Sequence, residues 1–306
     1  MKSSWGILHT FQGPVNGQNI QFKEANVNHP SGVENLIRTN WDTQLADKQA
    51  QLSKQGISGL TIQPYQEDKS LTPLNALYEA GVAKMWPGPA ITLVSIKENY
   101  PMIELEVAQT YFPFIGALND PEIKHLYINQ GIEIPRPSLA ICTFAETSNG
   151  KLTLTVRGQR TNMYPGRLYG QGGNPLFPTV NLVEHQIAEM SGEILVTPES
   201  YNPRKLEFGG ITEDKEALPG KPDLVGWIEV NLDSEEIERR VEARDQHPND
   251  AVAVVFAPTS DEALLRYIVS ANPSDYCPPA YAGLILYGRM HFGELWQQDL
   301  LKQLPD

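Results

Sequence analysis

The chain of 306 residues holds only two cysteines, Cys142 and Cys277. Two are too few for a disulfide framework or a cysteine metal cluster, so both read as ordinary buried thiols. Positive charge is scarce as well, with 24 Lys and Arg against 37 Asp and Glu, a formal charge of -13. Phosphate backbones are bound by clustered Lys and Arg, and there is no basic run here, so a broad nucleic-acid surface is excluded. No apolar run approaches the ~20 residues that a membrane span requires. The start, MKSSWGILHTFQG, lacks an apolar stretch of secretory length, and a cytoplasmic protein that binds neither membrane nor nucleic acid is expected. Walker loops, dinucleotide fingerprints, G-x-S-x-G elbows, H-E-x-x-H helices and internal repeats are all missing. What remains is a soluble globular composition, 41% hydrophobic, with length enough for one large domain or two ordinary ones.

Short strands are expected at Trp5 to His9 and Gln18 to Phe22, then a helix from Ser31, a good N-cap, to Gly56. Thr72-Pro73 opens another helix running to Met85. Ala90 to Ile96 and Met102 to Val107 read as a strand pair, and Pro121 to Gln130 as a helix. The punctuation Pro135-Arg136-Pro137 marks a domain boundary, giving an N-terminal α+β region over 1–134 and a second domain over 135–306. In that second domain Leu139 to Ala145 and Leu152 to Val156 form a hairpin around an Asn-Gly turn. A helix at Asn181 to Ser191, strands near Leu206 to Ile211 and Leu224 to Val230, and a helix from Asp233 to Arg244 follow. A strand at Ala251 to Phe256 and helices at Thr259 to Ser270 and Phe292 to Leu304 close the chain. Strands alternating with helices after a hairpin imply an α/β/α sandwich around a mixed sheet.

The most informative stretch is GGNPLFPTVNLVEHQIAEMSGEI, from Gly172 to Ile194: a glycine turn, a spacer and a helix. On the helix Val183, Ile187, Met190 and Ile194 fall at i, i+4, i+7 and i+11, an apolar face toward the core. Gln186, Glu189 and Glu193 fall at i, i+3 and i+7, a second stripe that is polar and free to offer oxygen ligands to a hard cation. Ahead of it, around Tyr164-Pro165-Gly166, Arg160 and Arg167 flank the glycine turn as candidates to meet a phosphate in bidentate fashion, with Arg157 a third, surface arginines near a hairpin being the other reading.

His185-Gln186-Ile187-Ala188-Glu189-Met190-Ser191-Gly192 resembles the R-E-U-x-E-E-x-G core of the Nudix hydrolases, U being aliphatic. The order strand, arginine, "YPG" turn, glycine pair and helix is similar too, and the resemblance runs over roughly residues 100 to 290. It implies a Nudix-like α/β/α domain, magnesium or manganese as cofactor, and a nucleoside diphosphate-type small molecule as ligand. His185 stands at the box arginine, Gln186 at its first glutamate, Glu189 at the second and Met190 at the third. Glu189 therefore keeps the catalytic metal-ligand chemistry, with Glu193 as a second metal candidate and Arg157, Arg160, Arg167, Gly172, Gly173 and Gln186 as ligand-binding candidates. Glu184, Glu207, Asp223 and Glu229 are alternative carboxylate bases, and Tyr164, Tyr169 and Trp227 candidates to stack on a base.

Three functions are open at this point. The first is a Nudix-fold binding protein in which hydrolysis is lost or weak, because carboxylates are missing at Gln186 and Met190. The second is an active metal-dependent pyrophosphohydrolase of nucleoside diphosphate-linked substrates. The third is a protein-interaction domain without a small-molecule ligand. With Gln186 on a polar face, Gln186→Glu is expected to be tolerated and to raise cation affinity.

Overall fold

Strand β9 (Lys221–Glu229) is buried along all but its last residue, as a strand covered on both faces at the middle of a sheet must be. It pairs antiparallel with β8 (Glu207–Asp214) and parallel with β5 (Ala140–Glu146). The sheet runs on through β6 (Lys151–Val156) to β10 (Ala253–Pro258), and at its other edge ends in β1 (Trp5–Asn16). A short β7 (Leu168–Tyr169) pairs with β6, making seven strands in a mixed sheet. The structure, a computed structural model, describes residues 4–54, 89–158, 163–175, 181–244 and 251–304. The helix expected at Thr72 to Met85 and the candidate Arg160 lie outside the described residues.

Successive side chains of a strand point to opposite faces, and β5 follows that rule. Ile141 and Ala145 enter one core with Leu224 and Phe208, whereas Cys142 and Phe144 enter another with Val225 and Trp227. Helices α4 (Leu182–Ile194) and α5 (Ser234–Glu242) cover the first face through Met190, Ile194, Ile237 and Val241. On the second face lie α6 (Asp261–Ser270), α7 (Pro278–Phe292) and α8 (Glu294–Gln303). The architecture is the expected α/β/α sandwich.

A three-stranded sheet of β2 (Ile20–Glu24), β4 (Met102–Tyr111) and β3 (Pro89–Asn99) shares the first core through Ile91, Leu93, Ile103 and Leu105. Helices α1 (Val33–Lys54), α2 (Phe112–Ala117) and α3 (Pro121–Asn129) bury Ile37, Trp41, Phe114 and Tyr127 in a core of their own. This is the expected N-terminal α+β region, except at its beginning. β1 belongs to the large sheet, where it pairs with β8 from Trp5↔Asp214 to Asn16↔Glu207. The sequence shows a strand there but holds no information about its distant partner.

The sequence reading assigns no element to most of α7, the most deeply buried helix. Pro278 to Gly288 are all buried, and a helix that is apolar all round has no amphipathic period to detect. Its Pro278-Pro279 start is compatible with a first helical turn. The joint to α8 is tight: a Cβ added at Gly288 falls 2.1 Å from ring carbons of Trp296. Gly288→Ala is therefore expected to cost about 1–3 kcal/mol through overpacking. Calorimetric melting reads this out, and an unchanged or raised melting temperature contradicts it.

Candidate functional site

The chain from Tyr169 to Gly173 lies against β5 as an added antiparallel strand. Gln171 N donates to Thr143 O (2.7 Å), Thr143 N returns to Gln171 O (2.8 Å), and Ile141 N donates to Gly173 O (2.9 Å). Gly172 has φ +151°, and a Cβ built on it falls 2.0 Å from the Ile141 carbonyl oxygen, so only glycine fits this approach. The fully buried Gln171 side chain accepts from Thr153 Oγ1 (2.8 Å) and Ala145 N (3.2 Å), which fixes the segment from the other side.

Helix α4 is seated on this segment. Asn181 caps it, its side chain accepting from Val183 N and Glu184 N. Leu195 ends it in the left-handed region at φ 56°, and Arg240 and Arg244 donate to the carbonyls of Leu195 and Glu193. Val183, Met190 and Ile194 are buried as expected, with Ile187 packed partly against the same core. The stripe expected to be polar is a different matter, and here the sequence reading is corrected. Gln186 is 0% exposed, and its Nε2 donates to Gln171 O at 3.1 Å. Glu193 is also buried, close enough to Arg244 that its charge opposes the lowering that burial imposes on the guanidinium pKa. The apolar period of α4 is legible, but the sequence does not show that the helix sinks far enough to bury a flanking polar row.

Glu189 keeps a partly exposed carboxylate and rests on the glycine turn, where a Cβ at Gly173 would meet its Oε1 at 2.9 Å. His185 Nε2 lies 4.0 Å from Glu189 Oε1, too far for a hydrogen bond. Burial moves the His185 pKa down from its ordinary value, so it is a neutral imidazole near pH 7 and does not supply the charge of the arginine it replaces. The structure thus brings Gly172, Gly173, Gln186 and Glu189 together.

It places Arg157 and Arg167 elsewhere. Arg157 Nε donates to Met163 O at 3.1 Å, and its guanidinium lies over the Tyr169 ring at 5.2 Å. Arg167 forms a bidentate pair with Glu216 (2.8 and 2.7 Å) and covers the Tyr164 ring at 4.7 Å. Tyr164 has φ 54°, and its hydroxyl is shared by both Asp214 oxygens at 2.8 Å. The "YPG" turn is therefore fastened to residues 214–217, and Arg167 is engaged in that fastening. Tyr164 and Trp227, like Tyr169, are occupied inside the protein.

Three of the four alternative bases are engaged in the same way, while Glu184 is exposed on the first turn of α4. Asp223 is fully buried and accepts from Tyr169 Oη (2.8 Å) and Lys221 Nζ (2.7 Å). Glu207 accepts from Trp227 Nε1 (3.3 Å), and Glu229 pairs with Lys205. The Lys221–Asp223 pair is absent from the sequence reading of the site, although its spacing of two on a strand was available as a signal.

No protein-family model matches the chain, and no curated protein matches it. Solved structures do. The MutT protein from Methanosarcina mazei Go1 has 15% identity and a TM-score of 0.32, over 50% of this chain and 91% of that one. A C. elegans Ap4A hydrolase binary complex has 17% identity and a TM-score of 0.31, over 50% and 96%. A NUDIX-family hydrolase from Clostridium perfringens has 12% identity and a TM-score of 0.31, over 53% and 97%.

The depressed His185 pKa has a stability consequence of definite sign. The unfolded chain takes up the histidine proton near its ordinary pKa of about 6.5, while the folded chain resists it. Stability is therefore full above that value and falls as pH drops toward the lower folded-state pKa. Melting temperatures of the protein and of His185→Gln, compared at about pH 7.5 and about pH 5.5, should show a smaller acid-side loss in the variant. Equal losses in both would count against a half-buried, neutral His185.

Proposed function

We propose that the protein is a Nudix-fold protein that binds a nucleotide or nucleoside diphosphate-type small molecule, its hydrolytic activity lost or weak. The observation that carries this reading is the set of side chains α4 offers at the glycine turn. Of the three box positions, Glu189 supplies a carboxylate beside Gly173, whereas Gln186 and Met190 are turned into the core. Hydrolysis of a diphosphate with metal assistance uses several carboxylates to hold the cation that polarises the phosphate and activates water. Among the described residues no group of three or more His, Cys, Asp and Glu is placed to hold a metal ion. The donor set at α4 does not fit a divalent cation, and no step of a reaction is assigned to one.

A ligand would be met instead by the protein's own groups. The backbone of Gly172 and Gly173 is uncovered by any side chain of its own, and Glu189 accepts hydrogen bonds from a hydroxyl or amine. None of the described helices is long and apolar enough to cross a membrane.

Isothermal titration with ADP-ribose, as a nucleoside diphosphate-linked probe, tests the reading, with chromatography of the mixture to follow cleavage. Binding without turnover is expected, weakened at least several-fold in Glu189→Gln and unchanged by chelator. Cleavage that requires magnesium or manganese would favour the active pyrophosphohydrolase. Failure of nucleotide probes to bind at all would leave the protein-interaction reading.

A further inference from the structure

The resembled family implies a magnesium or manganese ion on the helix that α4 corresponds to, and three observations on this chain bear on whether such an ion has a place. Gln186 stands at the first carboxylate position with its amide, and the amide is not idle: Nε2 donates to the carbonyl of Gln171, the same oxygen that receives Thr143 N. Met190 stands at the third and is 1% exposed in the main core. Two neutral oxygens, Gln186 Oε1 and Thr143 Oγ1, are buried here without a hydrogen-bond partner among the described residues.

We infer that the inner face of α4 is closed to divalent cations, and that an amide bridge from Gln186 to Gln171 ties the helix to the glycine segment without any ion. A hard divalent ion entering this face would lose its hydration shell and meet neutral oxygens there, and uncompensated desolvation of a charge is costly. Glu189 adds one carboxylate at the rim, beside a histidine that stays neutral. Glu193 is buried with Arg244 close by, a cation already balancing it. The earlier expectation for Gln186→Glu is reversed by the same geometry. An ionised carboxylate at that position would point an acceptor at an acceptor, the Gln171 carbonyl. Once protonated, the carboxyl has an O–H to donate and restores the bridge. The substitution should therefore acquire a proton rather than a metal.

The inference is independent of which small molecule the protein binds, and its test uses no such ligand. Manganese is titrated into the wild-type chain and the free-ion paramagnetic resonance signal followed. Melting temperatures of the wild type, Gln186→Glu, Gln186→Leu and Glu189→Gln are measured with manganese or chelator, near neutral pH and under mildly acidic conditions. The wild type should leave the manganese signal undiminished and show the same melting temperature in both additives. Gln186→Glu should melt several degrees lower near neutral pH and regain most of that loss in acid. Gln186→Leu should be lower at both pH values, since leucine cannot bridge at either. If Gln186→Glu fails to fold near neutral pH with or without manganese, the same conclusion holds in stronger form. Manganese bound by the wild type and released in Glu189→Gln would overturn the inference, as would recovery of Gln186→Glu near neutral pH on adding manganese.

Discussion

The approach of one bare stretch of backbone to another governs the geometry of this molecule around α4. Between Gly170 and Gly173 the chain lies on β5 so closely that a methyl group at Gly172 would overlap the Ile141 carbonyl. That contact brings Gln171 O within reach of the Thr143 amide and of a side chain from the helix above. It also draws Gly173 under the Glu189 carboxylate. Remove the close approach and α4 loses its polar anchor, while its apolar face would still find the sheet. Hydrophobic burial holds the helix down here, and the hydrogen bonds decide where along the sheet it rests.

A second theme is how many of the charged and hydroxyl groups near the sheet are used for fastening. Arg167 and Glu216 join the Tyr164 turn to the β8–β9 connection, and Asp214 accepts the Tyr164 hydroxyl there. Burial holds the Asp214 carboxyl above its ordinary pKa, with the Tyr164 hydrogen bond acting against it. Lys221 and Tyr169 share Asp223 in the interior. The buried Lys221–Asp223 tie gains little net energy over apolar packing, but removing one partner leaves the other charge buried and unpaired. The cost of error is what makes it specific.

Much of the fold was legible in the sequence because its period and punctuation were honest. The Asn-Gly turn between β5 and β6, the Asp233 cap of α5 and the Asn181 cap of α4 all stand where their side chains predict. Residues 278–292 were silent, since a helix wrapped on every side by apolar neighbours shows no alternation. At the candidate site the proximity of the helix, the glycine turn and Glu189 was legible, and the surroundings of Arg157 and Arg167 were not. Arg157 and Arg167 look alike in a sequence whether they face a phosphate or a tyrosine ring. Their partners, Met163, Tyr169 and Glu216, are chosen by how a turn folds back, which local pattern does not encode. The inward position of Gln186 was hidden for a related reason, because helix period gives direction but not depth.

The edge strand β1 carries a consequence for the order of assembly. Its twelve residues are made well before the strand they join, β8, which follows some two hundred residues later, as the pairing of Trp5 with Asp214 shows. Until then β1 has no β8 to pair with, and an unpaired strand is a template for other open strands. A contact of such long range contributes little to an early nucleus and much to the final closure of the sheet. During synthesis this chain would hold β1 in reserve, and anything that shields that strand until β8 follows would act on yield without touching the finished protein.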